Sequence, residues 1–419
     1  MKITRPCRAA ALSLALGLAA ASGALAGTLT VRPGVPNVGG LARYTGSHGL
    51  EVNVASPNRN PAFVQTSHPT SESLYRARFY VNLLSLSMSN GDEFELFSAY
   101  DGADPVPPAT SGNALLRAVV RHTASENWLS VFVRLDNGTE AEIPSTIELA
   151  NGWRVVELNW VKSTAAGANN GRLDLWVDGV ARTGLSGLDN DVAAINYGRW
   201  GAVAGVDSGT SGTVKLDDFA SQRTGYIGLL SVFSDVPSSS PLWPFIQGLY
   251  AAEITSGCSP GVFCPNNVVT RDQMAVFLLV AKEGAGYSPP ACTTPVFADV
   301  PCSSPFAPWV NELAARGVTS GCGGGNYCPA TAVTRDQMAV FLLVALEGSS
   351  YSPPACTTPV FTDVPCSSGL ARWVNEVAAR GITSGCGGTS YCPANPVTRG
   401  QMAVFLTTAF GLPVQRSGP

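Results

Sequence analysis

Three arginines stand where helix physics argues against them. Arg271 and Arg335 occur in the twice-written phrase VTRDQMAVFLL, and Arg399 in its variant VTRGQMAVFLT. In each, a capping threonine hands over to a helix. A helix N-terminus carries partial positive charge, so a cation there costs roughly 0.3–1 kcal/mol. Three such placements ask for a reason outside the helix. A guanidinium offers a planar fork of donors to a carboxylate, and helix N-terminal N–H groups add to the same anion site. The chemistry within reach is recognition of an anionic ligand.

Other reactive constellations are weaker. Glu93 and Glu95, in GDEFELF, point to one face of a strand, as the carboxylate pair of a retaining glycosidase would. The stretch is only loosely similar to the E-x-D-x-E strand of laminarinase-type hydrolases, since Phe97 stands at the third acid. An exposed polar strand face is the simpler reading, and the chain is expected not to be an enzyme. Asp174, Asp178 and the acids of LDD, Leu216 to Asp218, could include a rim calcium ligand, although turn acids commonly serve turns. Zinc sites want closer cysteine spacing, often with histidine, and His48, His68 and His122 all lie away from the cysteines. No cofactor is expected. The sequence shows no Gly-rich phosphate loop and no serine nucleophile elbow.

Composition sets the frame for these groups. The 419 residues, 45% hydrophobic, suffice for two or three domains with proper cores. A net charge of −4 gives no general attraction to nucleic acid or an anionic membrane. Lys2, Arg5 and Arg8 precede an apolar run and Ala24-Leu25-Ala26, so residues 1–26 read as a secretory signal peptide. No later run is long enough for a membrane span. Ten cysteines remain after Cys7, an even number in keeping with an oxidising compartment. A secreted, cell-surface-associated protein is expected.

The chain has two grammars. From Gly27 to Gly228 there is no cysteine, and short runs such as SLYRARFYVNLL, NWLSVFVRL, WRVVELNWV and GRLDLWVDG are rich in β-branched and aromatic residues. Gly, Asn, Asp and Ser separate them, the pattern of an all-β sandwich. Asp178-Gly179 between apolar flanks marks a hairpin. The order of WRVVELNWV, GRLDLWVDG and VKLDDFASQ resembles the concanavalin-like, laminin G-like jelly roll. That resemblance implies a carbohydrate- or protein-binding module over 27–228.

From Leu229 onward the chain repeats every 64 residues, with copies at 229–291, 292–355 and 356–419. Such a period means stacked copies of one supersecondary unit. PFAPWVNELAARGVTSG places Phe306, Trp309, Val310 and Leu313 on one helical face, with Gly317 as its stop. In the following helix Thr334 and Gln337 make a capping box, and Met338, Phe341, Leu342 and Ala345 form the buried stripe. The repeats also test disulfide pairing among themselves. The first copy has Gly228 and Ser238 where the second has Cys292 and Cys302, so that pair is lost together. Five local disulfides follow: Cys258 with Cys264, Cys292 with Cys302, Cys322 with Cys328, Cys356 with Cys366, and Cys386 with Cys392.

The phrase FADVP…PFAPWVNELAARGVTSGCGGGNYCPATAVTRDQMAVFLL resembles the S-layer homology (SLH) repeat. It has the F-x-D-V opening, the tryptophan-bearing first helix, the G-[IV]-x-x-G stop and a T-R-A-E-type start to the second helix. The resemblance implies an all-α pseudo-threefold domain that attaches the chain to an anionic cell-envelope polysaccharide. By that resemblance Arg271, Arg335 and Arg399 are the anion contacts, and Asp235, Asp299 and Asp363 are groove or helix-start residues. The family's acidic fourth residue is Gln273, Gln337 and Gln401 here, and the third is Asp272, Asp336 and Gly400. A structural alternative is that each arginine pairs with an aspartate such as Asp299 and locks one repeat to the next. For the whole chain, the alternatives are a polysaccharide hydrolase or lyase using the sandwich, and a purely structural envelope component.

Overall fold

The computed structural model describes residues 28–31, 37–39, 45, 49–54, 62–102, 114–149 and 152–416. The expected signal peptide lies outside them. In chain order the strands are β1 (Thr28–Val31), β2 (Asn37–Gly39), β3 (Gly49–Asn53), β4 (Ala62–Glu72), β5 (Leu74–Asn82), β6 (Leu86–Ser87), β7 (Glu93–Tyr100) and β8 (Ala114–Thr123). They continue with β9 (Glu126–Arg134), β10 (Glu140–Glu148), β11 (Trp153–Val161), β12 (Gly171–Val177), β13 (Val180–Leu188), β14 (Ile195–Ala204) and β15 (Ser211–Gln222). The helices are α1 (Trp243–Ala251), α2 (Arg271–Glu283), α3 (Ala307–Ala315), α4 (Arg335–Glu347), α5 (Ala371–Ala379) and α6 (Arg399–Ala409).

The strands form two antiparallel sheets, one ordered β1-β4-β14-β7-β8-β9-β10 and the other β13-β12-β11-β5-β15-β3-β2, with β6 beside β15. Alternation along each strand sends one set of side chains inward. Val64, Phe97, Leu116 and Val131 of the first sheet share a core with Phe79, Leu158, Leu173 and Leu216 of the second. That shared core makes the pair a sandwich. The β12–β13 hairpin turns at Asp178 and Gly179, with φ of 54° and 74°, as a two-residue turn with positive φ at both central positions requires.

The helical part is built from three helix pairs. Proline opens α1 and α3 within the first turn, where its missing N–H costs nothing. Gly317 and Gly381, at φ 67° and 69°, end α3 and α5. The second helices surround a shared axis, where Val269 N donates to Val397 O (2.9 Å), Val397 N to Val333 O (2.8 Å) and Val333 N to Val269 O (3.0 Å). All three valines are fully buried. Met274, Met338 and Met402, from α2, α4 and α6, lie in the common core around them. Disulfides join Cys258–Cys264, Cys322–Cys328 and Cys386–Cys392 within the loops, and Cys292–Cys302 and Cys356–Cys366 across the connectors.

The sandwich docks on α1 and on the C-terminal tail that follows α6. Tyr80, Trp153 and Val155 bury against Ala251, and a side chain at Gly152 would collide with the Ala251 carbonyl at 2.3 Å. The Glu157 carboxylate accepts from the N–H groups of Ile227 and Gly228 at 2.8 and 3.0 Å, and Arg416 N donates to Asp178 O at 2.8 Å. Glu253 occupies the position of Gly317 and Gly381 and keeps their left-handed backbone, φ 57°. Its carboxylate accepts from Asn82 Nδ2 at 2.7 Å, so a docking contact replaces the glycine.

Candidate functional site

Each of the three arginines begins a second helix and reaches into the disulfide loop of the next repeat. Arg271 Nε donates to Tyr327 O and Arg335 Nε to Tyr391 O, both at 2.7 Å, and Arg399 Nε donates to Phe263 O at 2.9 Å. The set runs first to second, second to third, and third back to first. Each guanidinium lies between two rings: Tyr327 and Phe341 at 4.8 and 5.4 Å, Tyr391 and Phe405 at the same distances, and Phe263 and Phe277 at 4.7 and 5.6 Å. Such stacking suits a planar, weakly hydrated cation. Long contacts of 3.4–3.5 Å run from Nη2 to Thr319, Thr383 and Thr255.

The arginines are nearly enclosed, at 5, 3 and 8% exposure. Burial pulls the Arg335 and Arg399 guanidinium groups below their ordinary range, as desolvation of a cation must. Among the described residues none of the three is in an ion pair, and Nη1 of each makes no hydrogen bond. The arginines therefore do lock repeat to repeat, but through carbonyls and rings rather than through aspartate.

The aspartates have a different task. Asp235 accepts from the N–H groups of Phe263 and Cys264 at 2.8 and 2.7 Å, Asp299 from Tyr327 and Cys328 at 2.7 Å each, and Asp363 from Tyr391 and Cys392 at 2.8 and 2.7 Å. In each repeat the carboxylate fixes the peptide whose carbonyl seats the arginine. The N–H of Tyr391 does most to hold the Asp363 carboxyl below its usual range, with Cys392 and Arg335 adding to it. For Asp299, burial pushes upward, but the N–H groups of Tyr327 and Cys328, with Arg271 beyond, outweigh it.

The first N–H groups of the helices are already used. Those of Arg271 and Asp272 donate to Thr331 O and Pro329 O at 3.0 and 3.1 Å, and the other two helices repeat the pattern. An anion at this site would meet guanidinium nitrogen, not helix N–H. The capping boxes differ too. Asp272 and Asp336 take the N–H of Gln273 and Gln337 themselves, at 2.7 Å. In the third repeat Gly400 leaves that N–H to Thr398 Oγ1 at 3.3 Å.

Elsewhere the groups singled out in the sequence are dispersed. Trp373 is buried and Trp309 half-buried, in edge-on contact with Tyr351 and Tyr287. Glu93 pairs with Arg121 and Glu95 with Arg117, at 2.8 and 3.0 Å. Asp174 accepts from Asn159 and Arg172, Asp178 from Arg154 and Val155, and Asp217 and Asp218 both from Thr45. Among the described residues, the carboxylates that converge are Asp136, Asp189 and Asp191, a group absent from the sequence expectations. Residue 136 meets 189 and 191 only through the fold. Among the described residues no helix is long and apolar enough to cross a membrane.

Residues 232–275, 296–339 and 360–403 match the S-layer homology domain. The chain thus carries three SLH repeats, a domain that marks cell-surface proteins, behind an all-β sandwich. Over 119 residues it is 33% identical to an endoglucanase of Bacillus sp. (strain KSM-635); the match covers 27% of this chain and 12% of the endoglucanase, so the chain spans only a small part of that relative. Two solved structures are similar over nearly half of the chain. An endo-β-1,4-glucuronan lyase from the fungus Trichoderma reesei is 14% identical, with a TM-score of 0.34 over 46% of this chain and 90% of the lyase. The alginate lyase Aly36B is 15% identical, with a TM-score of 0.32 over 45% and 88%. Scores this low say nothing of activity.

Proposed function

We propose that the SLH repeats hold this protein to an anionic envelope glycan, and that the sandwich is a module for carbohydrate or a protein partner. The observation that carries the first half is the Nη1 edge of Arg271, Arg335 and Arg399. Among the described residues each cation is fixed by a carbonyl and two rings, makes no direct ion pair with a carboxylate, and keeps one donor edge unused. Asp235, Asp299 and Asp363 shape the groove by setting the loop peptide and do not touch the ligand. The protein is exported and works at the cell surface.

A catalytic sandwich is less well supported. Glu93 and Glu95 share a face but each is held by its own arginine, which leaves neither placed as a proton donor to a leaving group. Co-sedimentation with purified envelopes tests the anchoring. The full chain should pellet with them, and a chain carrying Arg271→Lys, Arg335→Lys and Arg399→Lys should not, because lysine keeps the charge but lacks the fork. Undiminished pelleting of a folded triple variant would sink the arginine contact. Release of reducing ends during the same incubation would instead favour a hydrolase.

A further inference from the structure

The three boundaries between repeats are built from equivalent positions, and the one between the first and second repeats is hollow. Leu278, Leu313, Val318 and Val344, all buried, wall a space of about 300 Å³ between α2, α3 and α4. That is the small end of the roughly 300–1,000 Å³ typical of small-molecule sites. Lys282, which is exposed, and Gly348 stand at its edge.

The other two boundaries carry larger apolar side chains at these positions. In place of Lys282 they have Leu346 and Phe410, and in place of Val318 they have Ile382 and Ile254. Leu412 stands where the first boundary has Gly348. The two isoleucines belong to the common helical core, and Leu346, Phe410 and Leu412 pack against it. Lys282 does not fill the equivalent space, because its ammonium turns to the Ala345 carbonyl. An unfilled core position costs stability, since the lining atoms lose their dispersion partners. Such apolar cavities stay dry and accept apolar guests.

Charge narrows the guest. Arg316, also on the lining, is taken by Glu283 and, at 2.8 Å, by Glu312. Among the described residues Lys282 makes no ion pair. The uncommitted charge at the edge is therefore positive, and its complement is an alkyl chain that ends in an anion.

We propose that the boundary between the first and second repeats binds a free medium-chain fatty acid, with its alkyl chain between α2, α3 and α4 and its carboxylate on the Lys282 ammonium. A space this small suits one alkyl chain rather than the two of a phospholipid. The inference is independent of the anchoring through arginine: Arg271 opens α2 and Lys282 lies in its last turn, so the two sites are at opposite ends of one helix.

Calorimetric titration of the full chain with octanoate and with octanol tests it. Octanoate should bind, and should raise the melting temperature as a ligand of the folded state does. Lys282→Gln keeps the hollow and removes the charge; it should weaken octanoate roughly tenfold and leave octanol binding as it was. Lys282→Leu with Val318→Ile writes the second boundary into the first. This double variant should lose binding of both compounds, melt higher than the parent when free, and still pellet with envelopes. If it binds octanoate like the parent, the fatty acid sits elsewhere and the proposal falls. Equal binding of octanoate by the parent and by Lys282→Gln would overturn the carboxylate seat, and with it the fatty acid. Failure of the parent to bind octanoate would overturn the proposal outright while leaving the envelope anchoring untouched.

Discussion

Arg271 and Tyr327 hold each other twice: the arginine's Nε donates to the tyrosine's main-chain carbonyl, and the tyrosine's hydroxyl donates back to the arginine's, both at 2.7 Å. Arg335 and Tyr391 repeat the exchange. In the closing contact Phe263 replaces the tyrosine, and the return bond is missing. Tyr327→Phe and Tyr391→Phe should each destabilise the domain by about 1 kcal/mol, the net worth of one such bond. Urea unfolding measures it, and envelope binding should be unaffected.

Acid should weaken the loops that seat the arginines. The Asp299 and Asp363 carboxyls are held below their ordinary values. A depressed carboxyl contributes stability that is present above its unfolded value, about 3.9, and lost as pH falls through the lower folded value. The melting temperature should therefore decline from about pH 4 downward. Asp299→Asn with Asp363→Asn should lower it at neutral pH and flatten that decline.

Gly400 is a packing requirement. A Cβ there would lie 2.7 Å from Leu242 Cδ1 and 3.1 Å from Pro265 O. Gly400→Asp, which would restore the phrase of the other two repeats, is expected to destabilise by about 1–3 kcal/mol through overpacking. Leu242→Ala in the same chain should recover part of the loss, read as a non-additive pair in thermal melts.

The short disulfide loops, each closed at a sequence separation of 6, present the carbonyls that the arginines use. Replacing Cys386 and Cys392 by serine opens one, and a chain-entropy argument puts the loss at roughly 2 kcal/mol. Because the loop seats Arg335 through Tyr391 O, envelope binding should weaken in parallel, which co-sedimentation after mild reduction would also detect.

Much of the helical half was readable because a 64-residue period writes each contact three times. Gly317, the capping threonines and the cysteine pairs are local, and local signals survive in a sequence. The seats of the arginines are not local. Arg271 and Tyr327 are 56 residues apart and Arg399 and Phe263 are 136, so nothing near either residue announces the partner. For the same reason the spent helix N–H groups were out of sight. In the sandwich, Asp178-Gly179 announced its hairpin, but β13 shows largely exposed polar residues and β4 contains QTSHPTSE, neither of which alternates like a strand.

The valine triangle at the axis has a consequence for how the repeats can be counted. Each of Val269, Val333 and Val397 gives one hydrogen bond and receives one, and the last returns to the first. A linear stack of repeats can gain or lose a copy at its end; a closed cycle has no end. Copy number is thus fixed by geometry, and the three repeats should melt as one indivisible unit, with no terminal copy to fray.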